Sequence, residues 1–319
     1  MNDAHQAAPK LGLAITTYNR RDMILSNVAD FLRLTSVPFD LVVCDDGSTD
    51  QTAEAVRGLG VPVIGGLNRG IAWNKNRGLY YLSQICKCDV IILMDDDVAP
   101  VVAGWEQEWI NAVQRVGHVN YIPSALTSLL LSPRMDARDI GVSPIIGGMV
   151  IAQSALALSY VGYMDIRFGR YGHEHSDFSG RFVRAGFGGF HTQFEGSRNI
   201  LFYVIDGGVT LLSSTTSGTP TDLDRNAALL GELRDDPVYR APWRNNVQMR
   251  EFQRELCDGY LARLRPPVPF GMDFSSEDYL AANGDVAQAK IEPLVTGADP
   301  RAIRPGLPPD GRGLEAAGY

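Results

Sequence analysis

The first hundred residues repeat one pattern: a short β-rich apolar run, a polar cluster, then a stretch with apolar residues at helix spacing. The runs are LGLAIT at 11–16, FDLVVC at 39–44, VPVI at 61–64 and DVIILM at 89–94. Strand and helix alternate in this way in a parallel sheet, because parallel neighbours cannot be joined by a hairpin and need a crossover of helix length. The segment after the first run puts Ile24, Val28, Phe31 and Leu32 on one helical face, and a second helix is expected from about Ile71 to Ile85. Ser48-Thr49-Asp50-Gln51 has the form of a capping box opening a helix that ends near Gly58 or Gly60. DVIILM is almost wholly apolar, as a strand covered on both faces should be.

Further along, Trp105, Trp109, Ala112, Val113 and Val116 stand at helix spacing. From about 120 to 210 the alternation is less regular, with Gly147-Gly148 and Gly188-Gly189 as turns and NILFYVI at 199–205 as a strand, which reads as α+β material added to the same sheet. The expected fold class is therefore α/β: a mixed, mainly parallel sheet flanked by helices, with a mostly helical or irregular C-terminal extension. FSSEDYLAANGDVAQA at 274–289 reads as a short packing helix, and the closing PGLPPDGRGLEAAGY as an extended or disordered tail.

Composition narrows the function. Lys and Arg number 29 against 37 Asp and Glu, a net charge of −8, which disfavours nucleic acid because binding to phosphates rests on an excess of cations. The opening MNDAHQAAPK lacks a signal-peptide pattern, and VIILM at 90–94 falls far short of the roughly 20 residues that cross a bilayer. A soluble, cytoplasmic protein without a membrane span is expected, with peripheral membrane association left open. Cys44 and Cys86 sit in or beside apolar runs, and Cys86-x-Cys88 lacks the second pair that a zinc site needs, so these read as small buried hydrophobes.

In an open parallel sheet, ligands bind beyond the carboxyl ends of the strands. The residues there are Thr16-Thr17-Tyr18-Asn19-Arg20, Asp45-Asp46-Gly47-Ser48, Asn68-Arg69-Gly70 and Asp95-Asp96-Asp97. Three successive carboxylates after a buried strand repel one another unless a cation or strong donors sit among them, and oxygen ligands of this kind suit Mg²⁺ or Mn²⁺. No GxGxxG or GxxxxGK[ST] follows the first strand, which disfavours a dinucleotide fold or a P-loop ATPase. A nucleotide could still be held by Asp45 at a base N–H, by Thr17 and Tyr18 beside the base, and by a metal at Asp97.

ITTYNR at 15–20, VVCDDGSTD at 42–50, LNRGIAWNKNRG at 67–78 and IILMDDDV at 91–98 resemble, in order and spacing, family 2 of the glycosyltransferases with the GT-A fold. IIGGMVIAQSAL at 145–156, VGYMDIRF at 161–168 and YGHEHSDFSGRFVRAG at 171–186 are similar to the acceptor-side signature of that family and of the related galactosyltransferases. The resemblance covers roughly residues 10–210. It implies a GT-A domain over 10–215, with a nucleotide-binding half at 10–100 and an acceptor half at 101–215; a helical extension over 216–304 and a disordered tail over 305–319 would follow.

The resemblance further implies a nucleotide-diphospho-sugar donor, UDP-linked, and an acceptor hydroxyl on a glycan, a lipid-linked sugar or another molecule. It puts Thr16, Thr17, Tyr18, Arg20, Asp45, Asp46, Asn68, Lys75 and Asp96 around the base and diphosphate, Asp95 near ribose and metal, and Asp97 as the direct ligand of Mn²⁺ or Mg²⁺. Gly147 and Gly148 would let backbone approach the sugar. Glu174 falls on the acidic position beside the acceptor hydroxyl, with Asp177 and Arg181 on the helix that follows. The family commonly has Glu-Asp where this chain has Glu174-His175, so Glu174, His175 and Asp177 are all candidates for the base, Glu174 first and Asp177 second. His191 is a candidate late metal ligand, with Asp206 as its rival. The chemistry implied is a single displacement that inverts the anomeric centre. A sugar nucleotidyltransferase and a non-catalytic nucleotide-sugar-binding module are the alternatives: the first should carry a Gly- and Lys/Arg-rich loop where TTYNRR stands, and the second should have lost an acidic motif.

Overall fold

The computed structural model of the chain describes residues 8–122, 130, 136–194, 197–212 and 219–264. All of them lie in one unit that extends to Arg265. The segment at 274–289 and the tail at 305–319 fall outside the described residues, and with them the expectations of a packing helix and a disordered end.

Each apolar run becomes a strand, and each run of helical spacing a helix. In chain order the first half is β1 (Leu11–Thr17), α1 (Arg21–Leu34), β2 (Phe39–Asp45), α2 (Thr52–Gly58), β3 (Val63–Gly65), α3 (Ile71–Tyr80), β4 (Val90–Asp95), β5 (Val98–Pro100) and α4 (Glu106–Val116). A π-turn, Tyr81–Ile85, prolongs α3 over the expected length. The second half is β6 (His118–Tyr121), β7 (Gly141–Ser143), β8 (Val150–Ser154), α5 (Ala155–Val161), α6 (Glu174–Arg184), β9 (Gly189–Phe194), β10 (Ser197–Ile205), β11 (Val209–Leu211), α7 (Pro220–Glu232) and α8 (Asn246–Leu264). Among the described residues no helix is long and apolar enough to cross a membrane.

The main sheet runs β3-β2-β1-β4-β8-β6-β10-β7, with β9 paired to β10. Its first four strands are parallel; β8 then enters antiparallel to both β4 and β6. β1 lies between β2 and β4, so the strand order reverses beside it, and the crevice at such a switch point is where ligands bind. The register is specific: Thr17 lies opposite Asp45, and Thr16 opposite Asp95. Three polar clusters are thereby brought to one edge.

β1 is buried along its whole length, and its alternation feeds two cores. Leu11, Leu13 and Ile15 pack with Ile24, Val28, Phe31, Trp105 and Trp109 on one face. Ala14 joins Trp73, Leu79, Phe178, Phe182, Phe252 and Leu256 on the other. Trp73 and Tyr80 are packing residues, and Cys44, Cys86 and Cys88 are buried thiols, as expected for the cysteines. Gly78 lets α3 ride against β1, since a Cβ there would stand 2.5 Å from that of Ala14.

Two expectations change. Ser48 does not cap α2: its hydroxyl donates to Asp45 and accepts from the Asn19 N–H at 2.8 Å, while Asp50 takes the Thr52 amide at 3.1 Å. The division expected at 215/216 also moves, because α7 and α8 belong to the same unit as the sheet. Phe252 of α8 is fully buried, with ring centroids 5.3 Å from Trp73 and 5.7 Å from Tyr80, so this helix completes the second core.

Candidate active site

A cavity of about 440 Å³ opens at the carboxyl edge of β1 and β4, within the roughly 300–1,000 Å³ range of small-molecule sites. Thr16, Thr17, Tyr18, Arg20, Asp46, Asn68, Asp95, Asp96, Asp97 and Gly148 line it, together with Glu174 and His175. Most residues singled out from the sequence thus share one space.

The acidic triplet is held by the end of β1. The Thr16 hydroxyl donates to Asp95 Oδ1 at 2.9 Å, and the Thr17 hydroxyl to Asp96 Oδ2 at 2.7 Å. Arg20 Nη1 donates to Asp96 Oδ1 at 2.7 Å and stands 3.6 Å from Asp97 Oδ2. Burial nevertheless pushes the Asp96 carboxyl up to about 6, against the pull of Thr17 and Arg20. Asp97 is also raised, first by burial and then by Asp95. Its Oδ1 is buried with no hydrogen-bond partner among the described residues. An orphaned carboxylate oxygen on a cavity wall is costly and fits a cation in that cavity. Among the described residues no three His, Cys, Asp or Glu side chains gather into a metal-binding group. The fit is therefore to a hard cation held by one or two carboxylates, with its remaining ligands from phosphate and water.

The two aspartates after β2 part ways. Asp46 faces the cavity and accepts from the Arg69 N–H at 3.0 Å, the Gly70 N–H at 2.9 Å and Arg77 Nη1 at 3.2 Å. Asp45 is turned onto Ser48 and is not among the residues that line the cavity. Lys75 is also behind the wall. Its buried Nζ donates to the Gly148 carbonyl at 2.6 Å and pairs with Asp95 Oδ1 at 3.0 Å, tying β8 to the triplet. Gly148 reaches this spot because β8 runs antiparallel to β4, and the Asp95 N–H donates to the Met149 carbonyl at 2.9 Å. Gly147 lies just outside the lining.

Glu174 opens α6 and is 4% exposed. Its Oε1 lies 3.3 Å from His175 Nδ1, while Oε2 is buried without a partner among the described residues. Burial alone would raise this carboxyl, but the hydrogen bond and charge of His175, and then the charge of Lys75, outweigh it and bring it to about 2. Glu174 is thus ionised at neutral pH and has an accepting oxygen to spare. Asp177 is not at the cavity: it receives Arg181 Nε at 2.8 Å, one helical turn on. Arg181, only 1% exposed, donates to the carbonyls of Val161 at 2.9 Å and Tyr163 at 2.8 Å. That pair is a strut seating α6 rather than acid–base machinery.

His191 is likewise away from the cavity. β9 is the hairpin partner of the first part of β10, off the main path of the sheet, and pairs His191 with Ile200. Asp206 is exposed after β10 and does not reach the cavity either. The loop residues Arg170, Tyr171, Gly172 and His173 also line the cavity, as does Leu223 of α7; the motif at 171–186 included Tyr171, Gly172 and His173 without giving them a role, and Arg170 and Leu223 were not singled out. Gly70 has φ +87°, and a Cβ there would meet the Gly169 carbonyl oxygen at 2.1 Å, so the loop after β3 and this second loop pack backbone to backbone. The flanking Gly169 and Gly172 were the available signal, since both have positive φ in a tight loop.

Residues 13–125 match the family model for glycosyl transferase family 2. No curated protein matches the sequence. GalNAc-T7, solved with UDP, GalNAc and Mn²⁺, is similar at TM-score 0.51 and 12% identity, over 88% of this chain and 55% of that one. A mannosyltransferase from Pyrobaculum calidifontis, solved with GDP-Man and Mn²⁺, aligns at TM-score 0.47 and 13% identity, over 89% of this chain and 82% of that one. Glucosyl-3-phosphoglycerate synthase from Mycobacterium tuberculosis, solved with Mn²⁺, UDP and phosphoglyceric acid, aligns at TM-score 0.41 and 16% identity, over 56% and 66%. The family match spans the strands that carry the acidic triplet and Asp46: over residues 13–125 the chain carries a segment that matches glycosyl transferase family 2, in a fold similar to that of GalNAc-T7.

Proposed function

We propose that the chain transfers a sugar from a nucleotide-diphospho-sugar, UDP-linked, to an acceptor hydroxyl, with a divalent cation and with inversion. One observation carries this reading: two carboxylate oxygens, Asp97 Oδ1 and Glu174 Oε2, belong to residues that line one cavity, and both are buried without partners among the described residues. Asp97 suits a cation site, and Glu174 a proton acceptor.

Mn²⁺ or Mg²⁺ held by Asp97 and Asp95 supplies, when bound, Lewis-acid stabilisation of the charge on the departing diphosphate. Thr16, Thr17 and Arg20 keep the triplet in place, and Lys75 fixes Asp95 against the Gly148 backbone. Glu174 takes the proton from the acceptor hydroxyl as that oxygen bonds to the anomeric carbon and the bond from that carbon to the diphosphate breaks on the opposite face. The electron pair leaves on the diphosphate, and the anomeric centre inverts. His175 holds Glu174 ionised, and the Asp177–Arg181 strut keeps α6 aimed at the cavity.

The test is thermal stability against a panel of nucleotide sugars, with Mn²⁺, with Mg²⁺ and with chelator, for the wild type and Asp97→Ala. The expected result is stabilisation by one nucleotide sugar that needs metal and is lost in the variant. A folded wild type that responds to no donor would refute the reading.

A further inference from the structure

The donor side of the cavity is braced by a helix far outside the family match. On α8, Glu251 and Glu255 stand one helical turn apart on one face, while Phe252 and Leu256 are buried in the second core. The Glu255 carboxylate accepts from Trp73 Nε1 at 2.8 Å, Arg77 Nε at 3.0 Å and Arg77 Nη2 at 3.0 Å. Arg77 is fully buried and spends its other donors on the donor side: Asp46 Oδ1 at 3.2 Å, the Asp45 carbonyl at 3.1 Å and the Leu67 carbonyl at 3.2 Å. Asp46 in turn holds the Arg69 and Gly70 N–H groups. Glu251 makes a second tie, to Arg69 Nη2 at 2.6 Å. Gly66 permits the first, because a Cβ there would lie 2.0 Å from Glu255 Oε1.

We propose that α8 is a built-in part of the donor site and that Glu255 is a positioning residue, which sets the 66–70 loop and Asp46 through Arg77. This rests on the reading of the cavity as a nucleotide-sugar site. A carboxylate that merely filled a hole would need one partner; this one receives three donors from two α3 residues, and one of those residues holds both the loop and the cavity-facing aspartate. Phe252 packs edge-on against the Trp73 ring, 5.3 Å between centroids, but makes no hydrogen bond in the relay, so the apolar and the polar roles of α8 can be separated by substitution.

The experiment compares full-length wild type, Glu255→Gln, Gly66→Ala and Phe252→Leu in two measurements. In native-state amide exchange, Glu255→Gln and Gly66→Ala are expected to speed the Arg69 and Gly70 amides about 10-fold, the loss expected for a weakened charged hydrogen bond, while β1 and β4 amides hold. Phe252→Leu should move all segments together. In calorimetric titration with UDP and with GDP, each in Mn²⁺, Glu255→Gln should weaken the binding nucleotide about 10-fold, and Phe252→Leu less than about 2-fold. Unchanged exchange at 69 and 70, or a rise in step with the whole molecule, overturns the proposal. Should wild type bind neither nucleotide, the donor reading fails for those two, while the exchange result still decides the coupling of α8 to the loop.

Discussion

Arg77→Met tests how much of the molecule's stability passes through one buried cation. Arg77 is fully buried, and its guanidinium serves Glu255, Asp46, Asn74 and two backbone carbonyls at 2.8–3.2 Å. Methionine fills similar space but leaves the Glu255 and Asp46 carboxylates, 12% and 8% exposed, without their cation. Breaking one buried pair costs about 3–5 kcal/mol. Here Glu255 keeps Trp73 and Asp46 keeps two amides, so each loss falls at the low end, and orphaned carbonyls add about 1 kcal/mol each. The sum is about 8 kcal/mol, a large share of the roughly 5–15 kcal/mol that holds a domain together. For a unit of this size that is a fall in Tm of about 10 °C or more. The double variant Arg77→Met/Glu255→Leu removes one of the stranded charges and should recover about 2 kcal/mol relative to the single. The assay is thermal and urea unfolding of the four proteins of the cycle. A single variant that loses under about 3 °C, or a double variant worse than the sum of the singles, refutes the claim that these carboxylates depend on Arg77.

Glu174→Gln keeps the shape of the side chain and removes its basicity; kcat should fall about 10²–10⁴-fold with donor binding retained, measured on whichever donor the panel identifies. The same variant has a pH signature. The Glu174 carboxyl is lowered from 4.5 to about 2, so its contribution, about 3 kcal/mol, is present above pH 4.5 and is lost as pH falls through 2. The stability gap between wild type and variant should close between pH 4.5 and 2, read from unfolding curves across that range. Phe252→Ala should cost about 3–5 kcal/mol by chemical denaturation, because the ring is wholly buried among Trp73, Tyr80 and Trp243 and leaves a cavity when truncated.

The strands and the chemistry at their ends were legible in the sequence because both follow from local rules. Apolar runs of strand length separated by helical periodicity leave a parallel sheet as the economical fold, and a parallel sheet gathers the residues after each strand at one edge. Asp95-Asp96-Asp97, Thr16-Thr17 and Asp46 are therefore found together without any knowledge of packing. Glu174 lies beyond the regular alternation, and only the resemblance of its segment to the family's acceptor side pointed to it.

What the tertiary structure decided are the choices between neighbours. Asp45 and Asp46 are adjacent and chemically identical; the first is absorbed by Ser48, while the second faces the cavity because Arg77 and the loop after β3 reach it. Asp177 and Arg181 have the spacing of an ion pair, yet only the packing of α6 against the backbone at 161 and 163 makes that pair a strut and leaves Glu174 and His175 at the cavity. His191 was a candidate through the family resemblance, and the fold places it on a hairpin strand off the main sheet path, outside the residues that line the cavity. Glu251 and Glu255 look like the solvated face of a helix, and their partners lie 182 and 178 residues earlier. Periodicity and turn chemistry act over a few residues and can be read along the chain; the pairing of a buried charge is set by whichever side chain the completed fold brings within about 3 Å, and that distance does not exist until the fold does.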